Sequence, residues 1–169
     1  MDQQSIFFTC IVAIVAISLI AITIQFLAKK SNIKMEQDDK ISISYAVWFG
    51  SLFISFMLLL KVALQLVEDS IEIIIYSKTI DSTFWAVMQK ISIFIGFSFI
   101  ATFLAYFIID KIIKFFVGDR KPYIEMEKNN VAYFIIKGLV LIFLIISLIP
   151  VFEHFLRWFV PVVETPFYH

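Results

Sequence analysis

Ionisable side chains are the first residues to search for chemistry in a chain this apolar, because a charge in hydrocarbon is costly and is kept for a purpose. Four stand near the ends of long apolar stretches: Lys61, Lys90, Asp110 and Lys137. None lies at the centre of a stretch, which disfavours a pump or motor built on a mid-membrane carboxylate. The lysines read as membrane-edge charges that lay their stems along apolar surface and lift the ammonium to the headgroups. Nucleophilic and metal chemistry find no better footing. Cys10 is the single cysteine and His154 and His169 the only histidines, so the sequence offers neither a disulfide nor a ligand spacing for zinc, haem or an iron–sulfur cluster. With no glycine-rich phosphate loop and no Ser-His-Asp set, the expectation is a non-enzyme without a cofactor.

Neutral polar residues form the one ordered pattern. At 100° per residue, Ser44, Ser51 and Ser55 fall on a narrow stripe of one helix, with Trp48 beside it. Small hydroxyl residues in membrane helices mark close packing between helices; the alternative is the lining of a polar conduit in an oligomer. Gly50, Gly138 and Gly96, the last with Ser92 one turn before it, read in the same way as contact points. Thr23 and Gln25 either join a polar vestibule or face an interface.

The elements that must position these residues are membrane spans. The 169 residues are 61% hydrophobic, with only four glycines, and their mean hydropathy is +0.93, a composition that needs the bilayer as its solvent. Four stretches have the roughly 20 apolar residues that cross about 30 Å of hydrocarbon: about 6–27, 41–66, 85–109 and 131–152. The segment Met1-Asp2-Gln3-Gln4-Ser5 carries no basic residue and the run after it has no small-residue cleavage site, so the first stretch is expected to stay as a span. The expected fold is an all-α integral membrane protein with four transmembrane helices.

Orientation follows from the basic residues, which resist translocation. Lys29, Lys30, Lys34 and Lys40 lie in the first loop, Lys111, Lys114, Arg120, Lys121 and Lys128 in the third, and Lys137 just inside span four, ten of the 14. Loops one and three are therefore expected in the cytoplasm, with both termini outside. Residues 67–84 are too apolar to be freely solvated and read as an extracytoplasmic interfacial loop. The aromatic tail 153–169 reads as an interfacial helix ended by Pro161, then an extended segment through Pro166.

Shifting the chain by 88 residues superimposes span one on span three and span two on span four. Asp39 then falls on Glu127, Lys40 on Lys128, Ser42 on Asn130, Ser44 on Ala132, Tyr45 on Tyr133 and Gly50 on Gly138. An even number of spans per unit makes this a parallel repeat, residues 1–66 and 85–152, about an axis along the membrane normal.

At Glu127-Lys128-Asn129-Asn130-Val131-Ala132, followed by Gly138, the chain resembles the YjfL-like bacterial inner-membrane proteins, a family of unknown function. The resemblance spans roughly residues 6 to 152 and leaves the tail out. It implies two repeated helix pairs, each with an acid-x-x-Asn-x-Ala motif on the loop before its second helix, and it supplies no reaction or ligand. The second repeat fits, Pro122-Tyr123 included. The first has Ser42 and Ser44 where the motif expects Asn and Ala, and the family favours more glycine and alanine than this chain has.

Each charged loop reads most simply as solvated, with Asp39 and Asn129 or Asn130 capping the next helix; a docking surface for a cytoplasmic protein is the functional alternative. The expected partners are the lipid bilayer and either further copies of the chain or another membrane or cytoplasmic protein. Zero net charge removes any global electrostatic case for nucleic acid. Two functions stay open: a non-catalytic membrane subunit that anchors a partner, and an oligomeric channel or pore, including a membrane effector of bacterial stress or phage defence.

Overall fold

The computed structural model describes residues 3–37, 39–76 and 83–161. Its elements are α1 (Gln3–Lys30), β1 (Glu36–Gln37), β2 (Lys40–Ile41), α2 (Ile43–Tyr76), α3 (Thr83–Val117), α4 (Pro122–Glu127) and α5 (Val131–Arg157). The fold is all-α apart from the two-residue strands, and α1, α2, α3 and α5 are long and apolar enough to cross a membrane.

Periodicity assigns the faces. On α1, Val12, Ala16, Ile20, Ile24 and Ala28 recur every four residues and are buried, a single stripe of the kind that packs one helix against one neighbour. That neighbour is α2, the central helix, which also packs along α3 and α5. Trp48, Leu52, Phe56, Leu59, Leu60, Ala63 and Val67 are all nearly inaccessible, so more than one face of α2 is covered. On α3 the buried line is Phe94, Ser98, Thr102, Ala105, Ile109 and Ile113. Phe56 and Phe99 meet across the α2–α3 seam with ring centroids 4.7 Å apart. The outside of the bundle is apolar as well: Phe7, Ile14, Phe26, Ile100, Phe107, Leu139, Phe143 and Val151 are exposed, a surface that suits an apolar surrounding better than water.

Two boundaries differ from the sequence expectation. The second span does not give way to a surface loop after Leu66: α2 is one helix of 34 residues through Tyr76. The charges of Glu68, Asp69 and Glu72 look like a boundary, but Val67, Ser70, Ile71 and Ile74 continue the buried stripe at helical spacing, and that stripe holds the segment against the bundle. Residues 77–82 of the expected loop lie outside the described residues. At the other end of the chain the first turn of the expected tail helix is the uninterrupted end of α5, which runs past Phe152 to Arg157 with Pro150 inside it. The extended segment expected up to Pro166 lies outside the described residues.

Candidate functional site

The end of the bundle that carries residues 31–42 and 118–130 gathers most of the polar side chains singled out in the sequence. Their arrangement begins with Asn129, which sits after the short helix α4 at φ 47°, a left-handed conformation that asparagine tolerates better than most residues. There its carboxamide oxygen accepts from Ser42 Oγ at 3.0 Å, from the Ser44 backbone N–H at 3.3 Å and from Ser44 Oγ at 2.8 Å. The orphan donors at the start of α2 are thus capped from the other half of the chain. Asn130 works on its own helix: its side-chain oxygen accepts from the Tyr133 N–H at 3.3 Å and its amide donates to the buried Glu125. Arg120 also reaches Glu125, at 3.4 Å. Glu127 pairs with Lys34 at 3.2 Å and so ties the third loop to the first.

Asp39 is not a helix cap. It lies in the turn between β1 and β2 at φ 57°, where the pairing of Gln37 with Lys40 holds the hairpin, and Asn129 takes the capping position on α2 instead.

One helical layer further in lies a charged pair. Lys137 does not lift its ammonium to the bundle's outer surface; it is 2% exposed. Its Nζ donates to Asp110 Oδ1 at 2.5 Å and to Tyr106 Oη at 3.3 Å, and stands 4.4 Å from the centre of the Tyr106 ring. Trp48 Nε1–H donates to the same tyrosine hydroxyl at 3.2 Å. Burial of a lysine is tolerable here because a carboxylate on the neighbouring helix lies at equal depth, and a neutral pair with further hydrogen bonds costs far less than a lone charge. The carboxylate is the wetter partner, its side chain 41% exposed. The cluster therefore joins α2, α3 and α5 through hydrogen bonds that converge on one phenol.

The serine stripe lies next to it. Ser44 and Ser55 are inaccessible and Ser51 nearly so. Ser51 Oγ donates to the Trp48 carbonyl at 2.9 Å and Ser55 Oγ to the Ser51 carbonyl at 2.7 Å. On the facing helix, a methyl group at Gly138 would come within 2.8 Å of Ser51 Cβ, so α2 and α5 touch backbone to side chain at this point. Ser98 and Thr102 extend the polar interior on α3, donating to Phe94 and Ser98 carbonyls. They were not singled out in the sequence, although their four-residue spacing in line with Phe94 was a signal. Gly50 and Gly96 make no close contact among the described residues of the chain: a side chain at either would meet nothing within 4 Å.

Lys90 closes the opposite end of the bundle by donating to the Phe159 carbonyl at 2.6 Å, where the last carbonyls of α5 want donors. Lys61 stays exposed on α2. Twenty residues of α3 separate Lys90 from Asp110, about 30 Å at about 1.5 Å per residue, which equals the hydrocarbon thickness of a bilayer of about 30 Å. The two polar tie points thus bracket an apolar slab of membrane dimensions. Compared with family models, curated proteins and solved structures, the chain matches none.

Proposed function

We propose that the protein is a non-catalytic, multi-pass subunit of a bacterial inner membrane that anchors a partner protein through its cytoplasmic face. In this reading loops one and three are cytoplasmic and both termini are outside, as the excess of basic residues in those loops supports. The observation that carries it is the joining of the two loops. Asn129 caps α2 from the third loop and Glu127 holds Lys34 of the first, so the loops present one preorganised surface, on which a partner binds with less ordering cost. The exposed Lys40, Lys121 and Lys128 make no ion pair among the described residues and are free to meet acids of a partner.

The second reading, an oligomeric channel or defence effector, needs polar side chains on a face between copies. It is less well supported because Ser51 and Ser55 are committed to packing inside one chain. Planar-bilayer conductance separates the two. The anchor reading expects no conductance from the purified protein, together with a cytoplasmic protein that cross-links to the loops and is lost on charge reversal of Lys40, Lys121 and Lys128. Ion conduction that Ser51→Leu and Ser55→Leu abolish in a folded protein would overturn it.

A further inference from the structure

The outer half of α2 carries a line of mixed charge that neither the interior cluster nor the loops use. Lys61, Gln65, Glu68 and Glu72 recur at intervals of four, three and four residues, which keeps them on one face of the helix. Above Lys61 a cavity of about 420 Å³ opens between α2 and α5, lined among others by Gln65, Glu68, Asp69, Glu72, Glu153 and Arg157.

Two groups on this line lack a counterpart among the described residues. Glu68 Oε1 is cut off from solvent and accepts no hydrogen bond, an unfavourable state for a carboxylate oxygen. Lys61 lies seven residues, or about 10 Å along the axis, deeper into the apolar stretch. There it is exposed and forms no ion pair among the described residues, so its ammonium is open to an anion. Arg157 is already engaged with Glu153 at 2.7 Å, which leaves Glu68, Asp69 and Glu72 without a basic partner among the described residues. A ligand that satisfies this line brings a cation to the carboxylates and an anion to Lys61, in that order from the surface inward. A bare metal ion does not fit, because among the described residues no three acids, histidines or cysteines stand close enough to hold one.

We propose that the α2–α5 crevice binds a phospholipid whose headgroup carries a primary ammonium. The ammonium donates to Glu68 and its acidic neighbours, the phosphate meets Lys61, and an acyl chain runs down the same face over Leu58 and the exposed Ile54. Three N–H donors distinguish this headgroup from a trimethylammonium, which has none to give the carboxylates that line the crevice. An uncompensated anionic headgroup is repelled by the carboxylates. The source is the leaflet and not solution, because the line descends from the charged end of the crevice into the apolar span. The proposal goes beyond the anchoring role and rests only on the bundle lying in lipid, which resistance to carbonate extraction checks separately.

The test is native mass spectrometry of the full chain released from micelles doped equally with phosphatidylethanolamine, phosphatidylcholine and phosphatidylglycerol, with soluble phosphoethanolamine as a further arm. The expected result is retention of phosphatidylethanolamine at least about tenfold over the other two lipids, and no saturable binding of phosphoethanolamine. Glu68→Gln with Glu72→Gln should reduce that preference to parity. Lys61→Met, an exposed change that the fold tolerates, should weaken all three lipids alike because it removes the phosphate contact. Equal retention of the three lipids by the wild-type protein, or phosphoethanolamine binding as tight as the lipid's, overturns the proposal. Extraction of the protein by carbonate would instead count against membrane insertion itself.

Discussion

Gly138 rests on Ser51 so closely that a methyl group added to the glycine would lie 2.8 Å from the serine Cβ and 3.1 Å from its Oγ. Both atoms belong to a side chain fixed by its bond to the Trp48 carbonyl, so neither moves aside freely. Gly138→Ala should therefore destabilise the bundle by about 1–3 kcal/mol, the usual cost of overpacking. Ser51→Gly should recover part of that loss in the double variant, whereas Ser51→Ala, which keeps the Cβ, should recover little. Thermal or denaturant unfolding in detergent measures all four proteins. A neutral Gly138→Ala would mean that the two helices do not approach in this way. Gly50→Ala and Gly96→Ala, with open space around both, should be neutral or slightly stabilising.

The buried ion pair predicts an asymmetry. Removing the carboxylate in Asp110→Ala leaves the Lys137 ammonium in a site from which water is excluded, and an uncompensated buried charge costs about 3–5 kcal/mol. Lys137→Met leaves the Asp110 side chain without its partner but 41% exposed, so the cost should stay at about 1 kcal/mol, that of one ordinary hydrogen bond. The double variant should be no worse than Asp110→Ala alone. Equal losses from the two single variants would contradict a pair of unequal burial.

Asn129 and Asn130 are neighbours with separate duties, which hydrogen exchange can resolve. Asn129→Ala should speed exchange at the amide of Ser44, its backbone partner in α2. Asn130→Ala should act at Tyr133 at the start of α5. Each should cost about 1 kcal/mol, the typical value for a lost cap. Faster exchange at Tyr133 alone in both variants would refute a cap that crosses between the two halves of the chain.

Topology has its own test. Cysteines placed at Ser31 and Ser77 in a Cys10→Ser background can be labelled in intact cells with a thiol reagent that does not cross membranes. Labelling at position 77 and protection at position 31 is the expected outcome, and the reverse pattern would invert the orientation.

The four long helices were legible because apolar length alone defines them, and their ends were not. At Leu66 the run of charge that begins with Glu68 suggested a boundary, yet Ile71 and Ile74 keep the helix packed, and burial outweighs a polar opposite face. Lys137 misled for a related reason. Its depth was evident from the sequence, but Asp110 is 27 residues away, and only the antiparallel run of α3 and α5 brings them level. Spacing and small size suggest a packing face for the serine stripe, and within the chain Ser51 lies against Gly138. Glycine size alone did not suffice at Gly50 and Gly96, since a contact also needs a partner helix on that side. Asn129 was noticed as a loop residue near a helix start, but the amide it caps, that of Ser44 in α2, lies 85 residues earlier in the chain.

That distance bears on how the chain is made. Translation completes α1 and α2 before Asn129 is made, so the first helical hairpin exists for a time with the Ser44 amide and two hydroxyls at its entrance still without their acceptor. The most deeply packed helix of the finished protein is thus the one whose start is completed last. A nascent chain that stalls or is cut before α4 leaves that entrance open, and a single late-arriving carboxamide distinguishes a complete product from an interrupted one.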